Sequence, residues 1–141
     1  DYQAPLLLPQ VLKSLGRDEV EIDAAHRRAV MVTEEHLELN PGDVRALVLG
    51  AASLIGVGQR EKALNWLEQA LAIAPEEPHL LYNVACIDRR AGEEERAMDN
   101  LERSGRLGYA HKAWLENDSD FELIRLHLRF QQILSLIDQR Q

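Results

Sequence analysis

Histidines, a cysteine and carboxylates are the side chains in this 141-residue sequence that could bind a metal ion or transfer protons. Such chemistry needs several of these groups at close and regular spacing. His26 and His36 are well separated in the sequence, and the other histidines fall on three different predicted elements. Those three are His79, His111 and His127. The sequence therefore predicts no metal site, and surface or interface positions for the histidines.

The cysteine and the paired acidic residues also lack a catalytic setting. Cys86 is the sole cysteine, so it forms no intramolecular disulfide, and no adjacent His or Lys would lower its pKa. The runs Glu34-Glu35 and Glu93-Glu94-Glu95 lie within or at the start of predicted helices, where solvated charge is ordinary. No phosphate-binding glycine loop or nucleophile motif is present. We predict a packed Cys86, no cofactor and no enzymatic activity.

Composition narrows the class of protein. The net charge is −8, with the acidic excess concentrated in residues 1–43, so a phosphate-binding basic stripe is missing and nucleic acid is not expected as a partner. The longest apolar runs, such as Ala46–Leu49, are too short to cross a bilayer. Helix formers dominate and aromatics make up 5%. We predict an all-α protein in a reducing, cytoplasmic compartment, and the initial Asp1 indicates a fragment or a processed product.

An internal repeat organises the helices. Pro41 and Pro75 each follow a similar apolar helix end. Spacings of three and four place small and large apolar residues on one face of each helix. In the first repeat these are Leu47, Gly50, Ala51, Leu54, Ala63, Leu67 and Ala70, with a turn at Gly58. In the second they are Leu81, Val84, Ala85, Ala97, Leu101 and Ser104, with a turn at Gly92. We predict one core shared through Leu47, Leu54, Leu67, Leu81 and Leu101.

This pattern resembles the tetratricopeptide repeat (TPR), whose period equals the interval between Pro41 and Pro75. The resemblance implies antiparallel helical hairpins stacked as a short superhelix with C-terminal capping helices. The expected single domain, 1–141, comprises an irregular helix pair at 1–43, repeats at 44–77 and 78–109, and a cap at 110–141. The last repeat and cap are also similar to bacterial TPR regions fused to signalling modules. Residues that carry this likeness include Tyr82–Cys86, Gly92, Ala97, Leu101–Arg103, Gly105, Trp114–Asp120 and Leu126–Phe130.

The flanking segments carry further predictions. We expect a lengthened helix at Asp18–Leu39, preceded by a helix at about Ala4–Leu15 in which Pro9 occupies the first turn or causes a kink. In the cap we expect helices at His111–Glu116 and Asp120–Ile137, after a turn marked by Gly105 and Gly108. Cap prolines common in related regions are replaced by Glu122 and Leu128, which favours a more continuous helix. The apolar face of that helix is Phe121, Ile124, Leu128, Phe130, Ile133, Leu134 and Ile137.

One unusual position is Asp88, which stands where the family has a large apolar residue. Either Asp88 pairs with a neighbouring arginine, or the helix rotates so that Ile87 takes its place. Trp66 and Trp114 are interpreted as packing residues.

The candidate binding site is a stripe on the first helix of each repeat. In the second repeat it is His79, Tyr82, Asn83, Cys86, Arg89 and Arg90, and in the first it is Arg45, Val48, Ala52 and Ile55. In TPR proteins this side lines the concave surface, which implies binding of a protein or peptide, with the two arginines selecting acidic groups. The alternative is that the stripe contacts the N-terminal or C-terminal helices. A second hypothesis is a homodimer formed through the apolar helix around Leu6–Leu15.

Overall fold

The computed structural model of the chain describes residues 3–139, and this part of the molecule is all-α, without strands. It divides into two compact units, Asp1–Ile73 and Ala74–Gln141. The helices of the first unit are α1 (Gln3–Ser14), α2 (Glu19–Leu39), α3 (Val44–Gly56) and α4 (Arg60–Ile73). Those of the second are α5 (Pro78–Arg90), α6 (Glu94–Arg106), α7 (Lys112–Asn117), the 3₁₀ helix η1 (Ser119–Ile124) and α8 (Leu128–Asp138). The predicted all-α fold of successive helical pairs is confirmed.

Local sequence signals set most helix ends. Asp18 and Asp43 cap α2 and α3 by accepting hydrogen bonds from backbone amides in the first turn, and Glu77 caps α5 ahead of Pro78. Gly58 and Gly92 have φ of 80° and 81° in the turns inside the two hairpins. Glycine suits these turns because it has no Cβ and adopts a positive φ without steric strain. No helix among residues 3–139 is long and apolar enough to cross a membrane.

The first unit packs its helices in chain order, α1 against α2, α2 against α3, and α3 against α4, with α1 also touching α3. Leu47, Leu54 and Leu67 are fully buried. A Cβ atom at Gly50 would lie only 2.5 Å from Cζ3 of Trp66, so glycine is needed for this close approach. Trp66 is 8% exposed and serves packing, as predicted.

The N-terminal helix pair follows the sequence prediction closely. The long helix begins after Asp18 and ends at Leu39, and α1 covers nearly the expected residues. Pro9 lies inside α1 and is buried, so the first-turn interpretation was wrong. Because proline has no N–H, the helix lacks one of its own hydrogen bonds there.

In the second unit, the cap completes the core of the α5–α6 hairpin. The term cap here means α7, η1 and α8 together. Phe121, Phe130 and Ile133 of the cap join Met98 and Leu101 of α6 in one buried cluster. Gly105 belongs to α6 rather than to a turn, and Ile137 lies so close that a Cβ at Gly105 would meet it at 2.6 Å. The apolar residues predicted for the cap are thus buried, with one exception.

That exception follows from a break in the cap. The expected continuous helix at Asp120–Ile137 is wrong, because residues 125–127 separate η1 from α8. Asp118 caps η1 and His127 caps α8, each accepting from a backbone amide of the helix that follows. The break turns Leu128 outward, and it is 72% exposed.

Asp88 follows the first of the two interpretations, pairing with an arginine, because it stays inside the hairpin instead of being replaced by Ile87. It is fully buried, its Oδ2 accepts a hydrogen bond from Asn100 Nδ2 at 2.8 Å, and its Oδ1 lies 3.7 Å from Arg96 Nε. Ile87 is buried as well. A buried carboxylate is tolerated only with such partners, so this pairing fixes α6 against α5.

Candidate protein-binding site

The predicted stripe on α5 begins at a well-capped helix end. Glu77 accepts hydrogen bonds from the backbone amides of His79 and Leu80, and Pro78 occupies the first helical position. Spacings of three, four and seven then place the stripe residues along one side of the helix. His79 and Arg90 are the outermost members of the stripe, and Tyr82, Asn83 and Arg89 lie between them.

The two arginines of the stripe bind the cap. Arg89 Nε donates to the backbone carbonyl of Asp120 at 2.7 Å. Arg90 forms a two-pronged pair with the Asp120 carboxylate, with Nε–Oδ1 at 2.8 Å and Nη2–Oδ2 at 3.0 Å. This hydrogen bonding raises the pKa of Arg90. These contacts follow the alternative in which the stripe meets the C-terminal helices.

Tyr82 makes a second connection between α5 and the cap. Its hydroxyl donates to Oδ2 of Asp118 at 2.7 Å, and its ring lies 5.9 Å from the ring of Phe121, centroid to centroid. Burial, and next the hydrogen bond to Asp118, raise the pKa of the Tyr82 phenol well above its ordinary value. Tyr82 therefore stays a neutral donor.

Cys86 is buried beneath these contacts, consistent with the packing role expected from sequence. Burial, and next the negative charge of Asp120, raise the pKa of its thiol. Its Sγ and carboxylate oxygens of Asp118 and Asp120 lie within 4.8 Å of one another, a spacing compatible with a metal ion. Both carboxylates already accept hydrogen bonds from Tyr82 or Arg90, so this cluster joins α5 to the cap.

An aromatic surface extends from the first turns of α5 onto the cap. We use this name for His79, Tyr82, Tyr109, His111 and Trp114. The rings meet edge to face, with Tyr109 and Trp114 centroids 5.3 Å apart and His111 and Trp114 centroids 4.5 Å apart. Trp114 is 45% exposed, so the prediction that it serves packing was only half right. Sequence reasoning missed Tyr109, because its partners on α5 are distant in the sequence and no local pattern joins them.

Asn83 borders the aromatic surface. Its Nδ2 lies 3.3 Å from Nε2 of His79, one helical turn earlier. Both side chains can donate and accept hydrogen bonds. This edge of the surface can therefore bond the backbone of an extended peptide.

The corresponding stripe in the first unit is partly covered. Arg45 Nε donates to Oε1 of Gln3 on α1 at 3.2 Å. Val48 is buried, while Ala52 and Ile55 are partly buried. Through Arg45, the stripe on α3 thus contacts the N-terminal helix.

The outer side of α1 is apolar and exposed. We call Leu7, Leu8, Val11 and Leu15 the α1 apolar face, because all four are exposed on or directly after that helix. Leu6 and Pro9 point inward and are buried. A continuous exposed apolar face is typical of a contact surface.

The chain was compared with protein-family profiles and with individual known proteins. No known protein-family profile matches the chain. Over 92 residues, covering 62% of the chain, it is 34% identical to the Vi polysaccharide export protein VexE of Salmonella typhi. The chain spans only 14% of the length of that protein.

Proposed function

We propose that the chain is a TPR-type protein-interaction module that binds a peptide or helix of a partner or of its own parent chain. Two helical hairpins with small residues at their closest approaches support this proposal. The observation that carries it is the half-exposed Trp114, held in the aromatic surface by three neighbouring rings. Exposed aromatic side chains fixed by packing are the usual anchors of protein interfaces.

The aromatic surface suits a peptide because it offers both an aromatic ring for side-chain contact and polar groups for hydrogen bonds to a backbone. The fixed indole of Trp114 offers contact area at low cost in side-chain entropy. His79 and Asn83 offer hydrogen-bonding groups for a backbone. The proposal includes that the chain binds its partner without catalysing a reaction.

Selection from a random peptide display library tests this function. We expect the wild-type chain to enrich a set of related peptides, and Trp114→Ala to lose their binding. Leu123→Ala is the matched control, since Leu123 is 78% exposed and belongs to the same unit. Peptides that bind the wild type and Trp114→Ala equally would contradict this site.

Self-association is a second candidate function, favoured by the α1 apolar face. Two copies that pair through this face would bury its leucines and valine. Sedimentation of the wild type should show a concentration-dependent dimer, and Leu8→Gln with Val11→Gln should abolish it. Leu39→Gln, another exposed leucine of the first unit, is the control. A wild-type monomer at every concentration would contradict dimerisation.

The proposal also covers the larger protein to which the module belongs and the process in which that protein acts. Its similarity to a segment of a polysaccharide export protein favours a role inside a longer polypeptide, either in such export or in bacterial signalling, and in the cytoplasm. A polysaccharide export assay in cells whose parent protein carries Trp114→Ala tests the first setting. Unchanged export despite lost peptide binding would favour the second.

A further inference from the structure

The aromatic surface concentrates ring side chains that are scarce in the chain as a whole. Aromatic residues make up only 5% of the sequence, with two tryptophans, three tyrosines and two phenylalanines. One tryptophan, Trp66, and both phenylalanines are buried and serve packing. Tyr82, Tyr109 and Trp114 instead lie together on the aromatic surface, and none of the three is fully buried. This grouping of partly exposed rings indicates a contact surface.

The rings of this surface stand nearly perpendicular to one another. The planes of Tyr82 and Trp114 meet at 82°, those of Tyr82 and Tyr109 at 72°, and those of Tyr109 and Trp114 at 67°. His79 continues the edge-to-face arrangement beside Tyr109, and His111 continues it beside Trp114. Perpendicular neighbours support one another, so each ring keeps its orientation. The surface therefore offers fixed ring faces and edges, which favour a ligand that is rigid as well.

Two hydrogen-bond donors of this surface have no acceptor within residues 3–139. They are the indole N–H of Trp114, which is 45% exposed, and the hydroxyl of Tyr109, which is not a buried group. Asn83, at the border of the surface, adds a third donor, because its amide nitrogen has only the contact with His79. Tryptophan donates but cannot accept, whereas tyrosine and asparagine can do both. The surface therefore suits a ligand whose backbone carbonyls need donors.

The aromatic surface has no lysine, arginine or acidic residue among its members. Lys112 lies next to it in the sequence, but its ammonium pairs with the carboxylates of Glu116 and Asp138. The carboxylate of Asp118 contacts it through the hydroxyl of Tyr82, and that contact is already a hydrogen bond. Recognition at this surface therefore depends on ring contacts and on hydrogen bonds between neutral groups.

Of the common ways in which proteins bind peptides, one fits this set of groups. Addition of a strand needs a sheet edge, and residues 3–139 contain no strand. A helix binds in an apolar groove, whereas the exposed part of this surface is aromatic and polar. Recognition of an acidic motif needs a cluster of arginines, which this surface lacks. A polyproline II segment docks on aromatic rings, and its backbone carbonyls, which make no internal hydrogen bonds, can accept from nearby donors.

We infer that the aromatic surface binds a proline-rich segment in the polyproline II conformation. The inference rests on the proposed function and names the class of its peptide. Proline supplies apolar rings for contact with Trp114 and Tyr109, and it has no N–H that this surface would leave unpaired. The indole N–H of Trp114 and the hydroxyl of Tyr109 donate to the carbonyls of the segment. Because such a segment is ordered before it binds, little conformational entropy is lost on binding.

Nuclear magnetic resonance titration with L-octaproline tests the inference directly. The chain has two tryptophans, so the indole N–H of the buried Trp66 serves as an internal control for that of Trp114. We expect a saturable downfield shift of the Trp114 indole resonance alone. D-octaproline has the same composition and the opposite hand, and it should leave both resonances unchanged. Equal shifts with the two peptides, or no shift with L-octaproline, would overturn the inference.

Tyr109→Phe separates the hydrogen bond from the ring contact, because it removes the hydroxyl and keeps the ring. Followed by backbone amide shifts, L-octaproline should bind this variant about twofold to tenfold more weakly, the loss of one hydrogen bond. Trp114→Leu should abolish binding while the spectrum keeps its dispersion, and Leu123→Ala, an exposed change in the same unit, should bind like the wild type. Full affinity in Tyr109→Phe or in Trp114→Leu would reject the inference. Library peptides that depend on Trp114 but lack proline would also reject it and would leave the proposed function standing.

Discussion

The α3–α4 and α5–α6 hairpins have almost the same build, but different contacts flank them. Both pair helices of 13 or 14 residues around small residues and a fully buried leucine, Leu67 or Leu101. The first hairpin is flanked by α1 and α2, which bond it through polar pairs such as Glu34 with Lys62. The second is flanked by a cap with two phenylalanines in its core and an ion pair at its edge. The comparison shows that similar hairpins can be covered in two ways, by N-terminal helices with polar pairs or by a C-terminal cap with an aromatic core.

The difference has a consequence for function. In the second unit, the cap bonds to the arginines of α5 and leaves Trp114 half-exposed among the aromatic rings. In the first unit, α1 covers part of α3 and presents apolar side chains outward. A polar, aromatic surface suits reversible binding of a peptide, whereas an apolar face suits a more permanent contact.

Deletion of Asp120–Gln141 should have the largest effect. It removes Phe121, Phe130 and Ile133 from the core, and each such loss costs about 2 to 5 kcal/mol, so together they approach or exceed the ~5 to 15 kcal/mol of a typical domain. We expect the second unit to unfold or aggregate, measured by circular dichroism and size exclusion. Deletion of residues 1–15, whose described part buries only Leu6 and Pro9, should cost less. Unchanged melting of the chain that lacks Asp120–Gln141 would break the comparison.

Leu67→Ala and Leu101→Ala should have equal and slightly smaller effects. Both leucines are fully buried and occupy equivalent positions of the two predicted repeats. Each substitution should cost about 2 to 5 kcal/mol in denaturant unfolding. Ile73→Ala, at a half-exposed position, is the control and should cost less than about 1 kcal/mol. A loss below about 0.5 kcal/mol at Leu67 would contradict the shared repeat register.

Arg89→Glu with Arg90→Glu should destabilise the second unit. The sequence alone predicted weaker partner binding with little loss of stability, provided that both side chains are exposed. In the structure Arg89 bonds the backbone carbonyl of Asp120 and Arg90 bonds its carboxylate. Two glutamates there would remove both contacts and place negative charge against acceptor oxygens, so we expect a loss of about 1 to 3 kcal/mol. Urea unfolding measures it.

The first unit offers a matched pair of adjacent arginines for this experiment. Arg27 and Arg28 are exposed, and Arg27 pairs with Asp23 one turn away on the same helix. Because such pairs contribute little, Arg27→Glu with Arg28→Glu should cost less than about 1 kcal/mol. Equal losses for the two double variants would show that the cap contacts contribute no more than surface pairs.

The sequence predicted the features that depend on neighbouring residues. Spacings of three and four identified the faces of α3 to α6, and Gly58 and Gly92 marked turns that need left-handed φ. The expected continuous cap helix failed because His127 starts a new helix after η1. The contact of Arg90 with Asp120 and that of Trp114 with Tyr82 were missed because the partners lie on separate elements, distant in the sequence. Such pairings follow from how the cap folds back, which periodicity within one helix does not specify.

Alkaline pH should produce the smallest difference in folding stability between the two units. The folded state raises the pKa of Cys86 above its ordinary value of 9.0 and that of Tyr82 above 10.0. At alkaline pH the folded chain therefore keeps the protons of Cys86 and Tyr82, which the unfolded chain releases. This contribution to stability is fully present below pH 9 and declines as pH rises through 9 and 10, by at most about 1.4 kcal/mol per pH unit for each group.

Cys86→Ala separates the two groups, because it removes the thiol and leaves the phenol. We expect the decline between pH 9 and 10 to be shallower in the variant, with the decline above pH 10 retained. Urea unfolding of the variant and the wild type, measured at steps from pH 8 to 10.5, gives both slopes. The same burial keeps the thiol protonated and covered, so a thiol reagent should modify folded Cys86 far more slowly than it modifies the urea-unfolded chain. Identical slopes together with rapid labelling would mean that the contact between α5 and the cap opens readily, and that the second unit is the looser of the two.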